Sequence, residues 1–348
     1  MLNDIVKPLT EWYRQNKRSL PWRDRHNAYY TWVSEIMLQQ TRVEAVKPYF
    51  RRFTEELPDP AALAECPEEK LLKLWEGLGY YNRVRNMQLA AQTVVEEYDG
   101  ILPASYEKLL SLKGIGSYTA GAIASIAYDI PVPAVDGNVL RVITRITEDD
   151  GDIMKQSVKK RIENKLQEIM PGEYPGDFNQ ALMELGAVVC VPNGEPKCDV
   201  CPVAFCCGAR AHGTIDRFPV KAQKKDRKLE DRTVLVIQDG EKTAIRRRPP
   251  RGLLAGLYEL PNLKGHLSEE EVLETVKAMD LEPLHIEALP EAKHIFSHIE
   301  WRMTAYRVRV SSLEEIRQND LLFVGKKQSD DQYAIPSAFS AYTKYIRE

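Results

Sequence analysis

Glu35 has the sequence context of an acid catalyst. It lies in the stretch TWVSEIMLQQTRVEAV, where apolar residues recur every three or four positions and predict the buried face of a helix: Trp32, Val33, Ile36, Met37 and Val43. Glu35 lies beside this stripe, and a carboxyl group partly withdrawn from water has a raised pKa, as a general acid working near neutral pH requires. The position therefore predicts a candidate acid, although most helical glutamates are surface or salt-bridged groups.

Gly114 and Gly116 mark a second candidate site, within LSLKGIGSYTAGAIASIAYDIPVPAVDGNVLRVITR. The stretch predicts a helix, a hairpin turn, a second helix from about Ser117 to Tyr128, and a Pro-bounded loop that delivers Asp136 to the next helix. A turn with two glycines tolerates positive φ and close approach of another molecule. Because free N–H groups at a helix start favour an anion, a nucleic-acid phosphate is the expected occupant, although most such turns are simple joints.

The cysteines predict a metal site. Five of the six fall between Cys190 and Cys207, and the cluster comprises Cys190, Cys198, Cys201 and the adjacent pair Cys206 and Cys207. Four thiolates on short loops can hold either a tetrahedral zinc or an iron–sulfur cube, and spacing alone favours zinc slightly. In a cytosolic chain a metal site is favoured over disulfides. Cys66 stands apart and is most simply a small buried residue.

Composition limits the class of protein. A length of 348 residues suggests two or three domains. The formal net charge is −3, so we expect a DNA-binding surface to be locally rather than globally basic. No apolar run approaches the roughly 18 residues that span a bilayer, and the start MLNDIVKPLT lacks a signal-peptide pattern, so a cytosolic protein is expected.

The elements that must position these residues are predicted to be helical up to the cysteines. The predicted helical segments are 1–20, with Leu9, Trp12 and Tyr13 at helical spacing, Tyr30–Phe53, two helices within 61–100 joined around Leu78-Gly79-Tyr80-Tyr81, and the charged segment 153–171. Gln180 and Glu184, which precede the cysteines, are weaker site candidates because helical polar residues are usually solvated.

The sequence beyond the cysteines changes character twice. Residues 213–229 are basic, with Lys221, Lys224, Lys225, Arg227 and Lys228, which suits either a solvated linker or a segment that crosses a phosphate backbone. Strands are then predicted over Thr233–Gln238 and Thr243–Arg248 around an Asp-Gly turn, and over Ile299–Val310. Ser268 and Glu271 form a capping box for an intervening helix through Met279, and Pro336 is expected to start the last helix.

Several of these motifs together resemble one family. The string WVSEIMLQQT, the flanking Pro21-Trp22-Arg23 and the hairpin with its VDGNV segment are similar to the MutY-type adenine DNA glycosylases of the helix-hairpin-helix superfamily. The resemblance implies that Glu35 protonates adenine, that Asp136 stabilises an oxocarbenium-like sugar, and that Tyr118 and Asn138 orient these groups. Asn138 has the alternative role of a helix-start cap. The implied DNA contacts are Arg23, Gln40, Thr41, Leu78, Tyr80, Gly114 and Gly116, with Tyr80 intercalating next to the lesion.

The same resemblance reverses the preference for zinc. The family's usual pattern, C-x6-C-x2-C-x5-C, ligates a four-iron four-sulfur cluster, here through Cys190, Cys198, Cys201 and Cys207. This chain departs from the pattern, because seven residues separate the first two cysteines and Cys206 is an alternative last ligand. The extra residue lies in a segment rich in Pro and Gly that can absorb it. A structural role for the cluster is expected.

The C-terminal segment carries a related resemblance. RPPRGLLAGLYELPN, Arg248–Asn262, is similar to the Nudix-related C-terminal domain of the same family, while the chain lacks a Nudix box of the REUxEE type, so pyrophosphate hydrolysis is not expected. Phe296-Ser297-His298 matches the family's loop that reads 8-oxoguanine. An aromatic ring beside a hydroxyl and an imidazole can pack against and hydrogen-bond an altered purine edge.

The resemblance spans the chain and implies its organisation. The implied fold is an all-α helix-hairpin-helix glycosylase domain over 1–212 with the iron–sulfur loop at 190–207, a basic linker at 213–229 and a Nudix-like α+β domain at 230–348. The implied activity is monofunctional adenine removal in base excision repair, from duplex DNA with 8-oxoguanine:adenine or guanine:adenine mispairs. A monomer in the bacterial cytosol, associated with the nucleoid, is expected.

Two alternatives remain open from the sequence. An endonuclease III-like enzyme also cuts the strand, using a lysine nucleophile at the hairpin position that Tyr118 occupies here. Position 140, where some relatives carry lysine, is Leu140. The second alternative is a catalytically silent DNA-binding scaffold, against which Glu35 and Asp136 argue, because binding alone requires neither.

Overall fold

The computed structural model describes residues 2–23, 27–222, 226–311 and 321–346. The chain divides into two compact units. Unit 1 comprises Met1–Cys66 and Asn82–Gln223, and unit 2 comprises Pro67–Tyr81 and Lys224–Glu348. The division differs from the predicted domain boundaries in grouping Pro67–Tyr81 with the C-terminal residues.

The helices and strands follow in chain order. The α-helices are α1 Val6–Asn16, α2 Ala28–Leu38, α3 Val43–Glu56, α4 Pro60–Glu65, α5 Glu68–Leu74, α6 Asn82–Tyr98, α7 Tyr106–Ser111, α8 Ser117–Tyr128, α9 Gly137–Thr147, α10 Gln156–Gln167, α11 Pro175–Val188, α12 Gly208–Ala211, α13 Glu269–Lys277, α14 Lys326–Gln332 and α15 Ser340–Thr343. The strands are β1 Lys228–Asp239, β2 Lys242–Arg247, β3 Tyr258–Glu259, β4 Asn262–Lys264, β5 Pro283–Ile295, β6 Ile299–Val310 and β7 Leu321–Val324. Turns of 3-10 helix lie at Asn3–Ile5, Cys198–Val200, Ala204–Cys206, Ile215–Arg217, Ser337–Phe339 and Lys344–Ile346.

Unit 1 is built from helices around apolar faces. The hydrophobic spacing near the start is confirmed, because Leu9 and Tyr13 of α1 are buried. They belong to one core with α9, α10 and α11, which includes Ile143, Ile162 and Phe178. Burial of such side chains removes apolar surface from water and supplies most of the stabilising free energy of the unit. This core fixes α9 and α11, which carry Asp136 and Glu184 at the edge of a cleft.

The prediction of one helix over Tyr30–Phe53 is wrong, because α2 ends at Leu38 and α3 begins at Val43. Gln40, between them, has a φ of 62°, in the left-handed region. The guanidinium of Arg83 in α6 donates hydrogen bonds to the carbonyls of Ile36 at 2.6 Å and Gln39 at 2.7 Å. A side chain distant in sequence thus satisfies carbonyls at the end of α2 and stops the helix.

The helices predicted within 61–100 are three rather than two, α4, α5 and α6, and α5 belongs to unit 2. Its assignment has a physical cause in hydrogen bonds to residues after β7. The ammonium of Lys73 donates to the carbonyls of Ser329 at 3.2 Å and Tyr333 at 3.0 Å. Glu76 accepts from the N–H of Ile335 at 2.8 Å. Because these partners lie about 250 residues away, the helical pattern of the segment could not reveal them.

The described strands of unit 2 form one mixed sheet. Its order is β3-β2-β1-β6-β5, with β4 paired to β1 and β7 paired to β2. The predicted hairpin is confirmed, since β1 and β2 are antiparallel with Gln238 opposite Thr243, and the long strand Ile299–Val310 is also confirmed. The capping box is present, because Glu271 N–H donates to Ser268 Oγ and Ser268 N–H donates to the Glu271 carboxylate.

Both faces of this sheet are covered. Alternate residues of β1 enter opposite cores because side chains of a strand alternate between its faces. Val234 and Val236 pack with Trp301 and Phe339, whereas Leu235 and Ile237 pack with Val272 of α13 and others. The unit is therefore an α+β domain, as the sequence predicted.

Part of the predicted linker packs on unit 1. Phe218 and Val220 accept hydrogen bonds through their carbonyls from Arg145 and from the N–H of Ile153, both at 3.1 Å. Lys224 and Lys225, which gave the segment much of its basic character, lie outside the described residues. The part of the segment up to residue 222 is therefore anchored to α9 and the loop that follows it.

Candidate active site

A cleft of about 700 Å3 in unit 1 brings together most of the residues predicted for catalysis. Its walls come from α2, α8, α11, the start of α9 and the loop before α2. The predicted residues that line it are Arg23, Glu35, Gln40, Thr41, Tyr118, Asp136, Asn138, Gln180 and Glu184. These residues are spread over more than 160 positions of sequence, so the fold alone creates the cleft.

Glu35 is buried, with 7% of its surface exposed, and Tyr118 donates a hydrogen bond to its carboxylate. Burial raises the pKa of Glu35 to about 7, while the Tyr118 hydrogen bond opposes the rise, nearby Asp136 adds to it and the Arg23 charge opposes it. The raised pKa favours a protonated Glu35 near neutral pH, as an acid catalyst requires.

Asp136 lies at the start of α9, where its carboxylate has two hydrogen-bond donors. It caps the helix by accepting from the N–H of Val139 at 2.8 Å, and its other oxygen accepts from the Asn138 amide at 2.6 Å. Burial raises the pKa of Asp136, whereas these hydrogen bonds and the charge of Arg141 oppose the rise. The interpretation of Asn138 as the cap is wrong, since Asp136 fills that role and Asn138 lies in the first turn, where it also accepts a hydrogen bond from Arg141 at 2.9 Å.

Close backbone packing places Asp136 and its loop. A Cβ on Gly121 of α8 would lie 2.2 Å from the carbonyl oxygen of Pro133, so only glycine allows the loop this near the helix. Buried Asn179 holds the same loop, because its amide oxygen accepts from the N–H of Ala134 at 3.0 Å and its nitrogen donates to Val132 O at 2.9 Å. Asn179 was not identified as a candidate from the sequence. Its position within FNQALMELG does not indicate a hydrogen-bond partner 45 residues earlier.

Glu184 was predicted to be a weaker site candidate because helical polar residues are usually solvated, but its side chain is only 1% exposed. It accepts hydrogen bonds from Arg18 and Arg23, two arginines of the loop before α2. Burial raises the pKa of Glu184, but the hydrogen bonds and charges of the two arginines outweigh it and lower the pKa to about 2. Glu184 is therefore ionised at neutral pH, and Arg23 reaches the cleft as part of an ion-pair network.

The two hairpin glycines have different structural requirements. Gly114 has a φ of 80°, and a Cβ there would lie 2.7 Å from that of Asn86. Gly116 has an extended backbone at the N-cap of α8, and its Cβ position is open, so only one of the two glycines needs positive φ. Ile115 between them is buried, while both glycines are exposed and leave the hairpin backbone open to another molecule.

Four of the five clustered cysteines line one small pocket. Cys190, Cys198, Cys201 and Cys207 surround it together with Arg145 and Arg210. The Arg145 guanidinium donates to Cys190 Sγ at 3.3 Å. Cys206 is not among the lining residues, and its thiol donates to the Val203 carbonyl at 3.4 Å. Within the described ranges, no group of three or more His, Cys, Asp and Glu side chains is arranged to hold a single metal ion. Cys66 is buried as predicted.

In unit 2 the structure brings Tyr80 to the Phe296-Ser297-His298 turn. The hydroxyls of Tyr80 and Ser297 lie 2.9 Å apart, within hydrogen-bond distance. Tyr80 is 50% exposed, and Ser297 and His298 are also exposed. Phe296, predicted as an aromatic wedge, is partly buried with its ring edge-to-face on Trp301 at 5.0 Å. Leu78, predicted to contact DNA, is instead buried at 6% exposure within the turn that follows α5, where its N–H donates to the Trp75 carbonyl at 3.1 Å.

No helix within the described residues is both long and apolar enough to cross a membrane.

The helical hairpin, the two-carboxylate cleft and the second α+β domain define a class, the base-excision DNA repair proteins of the helix-hairpin-helix superfamily. The model of that superfamily, described as HhH-GPD base excision DNA repair protein, matches residues 33–171, and the NUDIX domain model matches residues 233–345. The predicted fold class is thus confirmed.

Curated relatives narrow the class. An adenine DNA glycosylase of Mus musculus is 36% identical over 358 aligned positions, which cover 86% of this chain and 69% of the mouse protein. An adenine DNA glycosylase of Buchnera aphidicola from Acyrthosiphon pisum is 32% identical, covering 87% of this chain and 86% of the relative. The chain belongs to the adenine DNA glycosylase family.

Two solved structures resemble the helical part of the chain in fold. A thermostable thymine-DNA glycosylase is 25% identical with a TM-score of 0.54, covering 60% of this chain and 96% of that one. An endonuclease III trapped as a covalent intermediate with DNA has a TM-score of 0.52 at 24% identity, covering 61% of this chain and 98% of that one, and shows the shared fold.

Proposed function

We propose that this protein excises adenine mispaired with 8-oxoguanine, and with guanine as a second substrate, from duplex DNA. One observation carries the proposal: a buried, Tyr118-bonded Glu35 and the helix-capping Asp136 line the same cleft. Membership in the adenine DNA glycosylase family supports the choice of base. The adenine must leave the stack to reach this cleft, at a cost of roughly a few kcal/mol that mispairing lowers.

Glu35 acts as the general acid. With a pKa of about 7, it carries a proton in a large fraction of molecules at neutral pH and can deliver it to adenine at N7, which makes the base a better leaving group. Tyr118, held on α8, fixes the orientation of the carboxyl group. This is the same division of roles as in glycoside hydrolysis, where one carboxyl group protonates the leaving group.

Asp136 acts as the carboxylate that faces the sugar. As the N–C bond breaks, positive charge develops on the deoxyribose, and an ionised carboxylate stabilises it electrostatically or through a short-lived covalent bond. The two hydrogen bonds from Val139 and Asn138 favour the ionised form against burial. The Asp136 charge also raises the pKa of Glu35. An ionised Asp136 therefore favours the protonated form of Glu35. Water then completes the reaction and leaves an abasic site.

The arrangement favours a monofunctional enzyme over a strand-cutting one. Tyr118 occupies the hairpin position of the lysine expected for Schiff-base chemistry, and its hydroxyl is bonded to Glu35. Two lysines, Lys159 and Lys221, do line the cleft. We assign them to electrostatic attraction of the DNA backbone, which makes strand cleavage an outcome that experiment must test.

Two further surfaces complete the proposed DNA contacts. The open N-terminus of α8 at Gly116 supplies N–H groups to a backbone phosphate. Tyr80 intercalates beside the lesion, and the Ser297 and His298 side chains hydrogen-bond the 8-oxoguanine edge. Phe296 serves in this proposal mainly to anchor the turn on Trp301.

The four pocket cysteines fit a four-iron four-sulfur cluster. Each thiolate of such a cube binds a different iron, so its four ligands surround the cluster, and the proposal is supported by the four cysteines Cys190, Cys198, Cys201 and Cys207 that line one pocket. The neighbouring arginines Arg145 and Arg210 compensate the charge of the thiolates. When bound, the cluster supplies structural order to the loop that follows α11, and base excision needs no electrons from it.

The test uses a duplex with one central 8-oxoguanine:adenine pair, incubated with purified protein and analysed before and after hot alkali. Strand breakage only after alkali is expected, because adenine removal leaves the backbone intact. Matched duplexes with a guanine:adenine pair and with an 8-oxoguanine:cytosine pair test which base pairs the protein acts on. Breakage without alkali, with borohydride trapping at Lys159 or Lys221, would establish lyase chemistry, and retained binding without breakage in either lane would establish the silent scaffold.

A further inference from the structure

The carboxylate of Glu184 accepts four hydrogen bonds, all from two arginines. Its carboxylate accepts from Arg18 Nε at 2.6 Å, Arg18 Nη2 at 3.0 Å, the Arg18 backbone N–H at 3.1 Å and Arg23 Nη2 at 2.8 Å. The Arg18 contact is bidentate, the strongest geometry for this kind of pair. Burying an unpaired charge costs a large amount of free energy, so buried charged groups are normally paired. The Glu184–arginine network satisfies this requirement at the edge of the cleft.

The network sits among the charged groups that face the proposed acid. Among the described residues, Glu35 of α2 accepts a hydrogen bond from Tyr118 of α8, and the charges of Asp136, at the start of α9, and Arg23, in the loop before α2, act on it across the shared cleft. The other charged groups that line the cleft are Arg18, Lys159 of α10, Lys221 and Glu184 of α11. Arginine and lysine charges thus reach this cleft from several elements, and a cation next to a carboxyl group favours its ionised form.

We propose that Glu184 is a positioning residue that holds and neutralises the guanidinium of Arg23, and thereby keeps Glu35 protonated for catalysis. The inference rests on the proposed role of Glu35 as general acid. Arg23 has a side chain only 15% exposed, so its charge is poorly screened by water. Glu184 supplies the opposite charge at 2.8 Å and fixes the direction of the side chain. Without Glu184, Arg23 becomes an uncompensated cation at the edge of the cleft, where the Arg18 carbonyl, at 3.1 Å, and the Tyr13 ring still contact it.

The electrostatic effect has a definite sign. The Arg23 charge already lowers the pKa of Glu35, against the larger effect of burial. Loss of Glu184 strengthens this opposition, so Glu35 loses its proton at lower pH. Because a general acid works in its protonated form, the fall of the reaction rate with rising pH moves to lower pH.

The experiment measures single-turnover release of adenine from about pH 5 to about pH 9 for the wild-type protein and Glu184→Gln. In the wild type the rate is expected to fall as pH rises through about 7. In Glu184→Gln the fall is expected at a pH lower by about one unit or more, with rates that converge at acidic pH and differ by about tenfold or more above neutrality. A merely structural role would lower the rate equally at every pH, and that result would overturn the proposal.

Three further variants keep the test sharp. Asp177→Asn removes an acidic partner of Arg14 from the same helix, α11, outside the cleft, and is expected to leave the pH profile unchanged. Glu184→Asp keeps the charge and should keep the wild-type profile. The double variant Arg23→Gln, Glu184→Gln removes both charges and stays informative where the single variant does not fold. Because Arg18 loses the same partner in both variants, the rate of the double variant should fall at a higher pH than that of Glu184→Gln, and identical profiles would overturn the proposal.

A direct titration separates this inference from the proposed function. The pKa of Glu35 can be followed by 13C NMR of the carboxyl carbon in protein labelled at glutamate, with Glu35→Gln for assignment. A lower Glu35 pKa in Glu184→Gln supports the electrostatic role even where the wild type releases no adenine, a result that would refute the function alone. An unchanged Glu35 pKa with normal adenine release would refute the role of Glu184 alone.

Discussion

The hydroxyl of Tyr118 donates a hydrogen bond to the carboxylate of Glu35, and so joins α8 to α2 inside the cleft. The bond connects the helix that follows the hairpin, which we propose binds DNA, with the helix of the proposed acid. Burial raises the pKa of Glu35, with a smaller contribution from Asp136, and the Tyr118 hydrogen bond limits that rise because it stabilises the ionised form.

Replacement of Tyr118 by Phe is expected to shift the pH dependence of adenine release upward. Loss of the donor removes a contribution that lowers the pKa of Glu35, so the acid stays protonated to a pH above about 7. Single-turnover rates across the pH range measure the shift. Tyr128→Phe, also on α8 but bonded to the Leu102 carbonyl, is the control. A shift to lower pH in Tyr118→Phe would contradict the assignment, as this variant and Glu184→Gln should move in opposite directions.

Alanine at the two hairpin glycines should separate folding from DNA binding. Gly114→Ala places a side chain at a φ of 80° and 2.7 Å from Asn86 Cβ, so we expect a loss of about 1–2 kcal/mol in the free energy of unfolding. Gly116→Ala meets no atom of the protein within 4 Å and should fold normally while binding duplex DNA more weakly. Urea unfolding and fluorescence anisotropy with labelled duplex measure the two effects, and the reverse pattern would refute the interpretation of the hairpin.

Serine at position 207 should remove the cluster, whereas serine at position 206 should not. Cys207 lines the pocket with the other three cysteines, whereas Cys206 is not among the lining residues. We expect Cys206→Ser to keep the broad visible absorbance and about four irons per chain, and Cys207→Ser to lose both. Cluster retention in Cys207→Ser with loss in Cys206→Ser would reverse the assignment. Zinc bound in place of iron would refute the proposal of an iron–sulfur cluster.

Loss of the Ser297 hydroxyl should reduce the preference for 8-oxoguanine. Ser297 is exposed beside Tyr80, and one hydrogen bond to the lesion contributes about 0.5–1.5 kcal/mol, or roughly three- to tenfold in rate ratio. In Ser297→Ala, the ratio of adenine release opposite 8-oxoguanine to release opposite guanine should fall by this factor, with the rate opposite guanine nearly unchanged. Tyr80→Phe keeps the ring and isolates the effect of the Tyr80 hydroxyl. An equal loss on both substrates would place Ser297 outside lesion recognition.

Local patterns sufficed for much of the fold. The helix Ser117–Tyr128, the strand Ile299–Val310 and the capping box at Ser268 were predictable because spacing, turn residues and caps act over a few positions. The buried place of Glu35 followed from its neighbours at helical spacing. The resemblance to a family, rather than the pattern, brought Asp136 into the prediction, since a lone aspartate after a loop has no distinguishing spacing.

The features missed by sequence reasoning depend on distant partners. Glu184 is separated from Arg18 and Arg23 by 166 and 161 positions, so its helical context indicated only a weaker site candidate and gave no sign of these partners. The end of α2 depends on Arg83, 44 positions beyond Gln39. Periodicity describes which face of an element is buried, but it carries no information on which charged side chain will meet it in the folded chain.

The most direct test of the account compares adenine release and DNA binding by Asp136→Asn and wild-type protein on the 8-oxoguanine:adenine duplex. The amide keeps the shape of the side chain but removes the charge proposed to stabilise the sugar cation. We expect single-turnover release to fall by about a hundredfold or more while affinity for the duplex remains. Release at the wild-type rate would contradict the proposed role of Asp136 and with it the two-carboxylate mechanism.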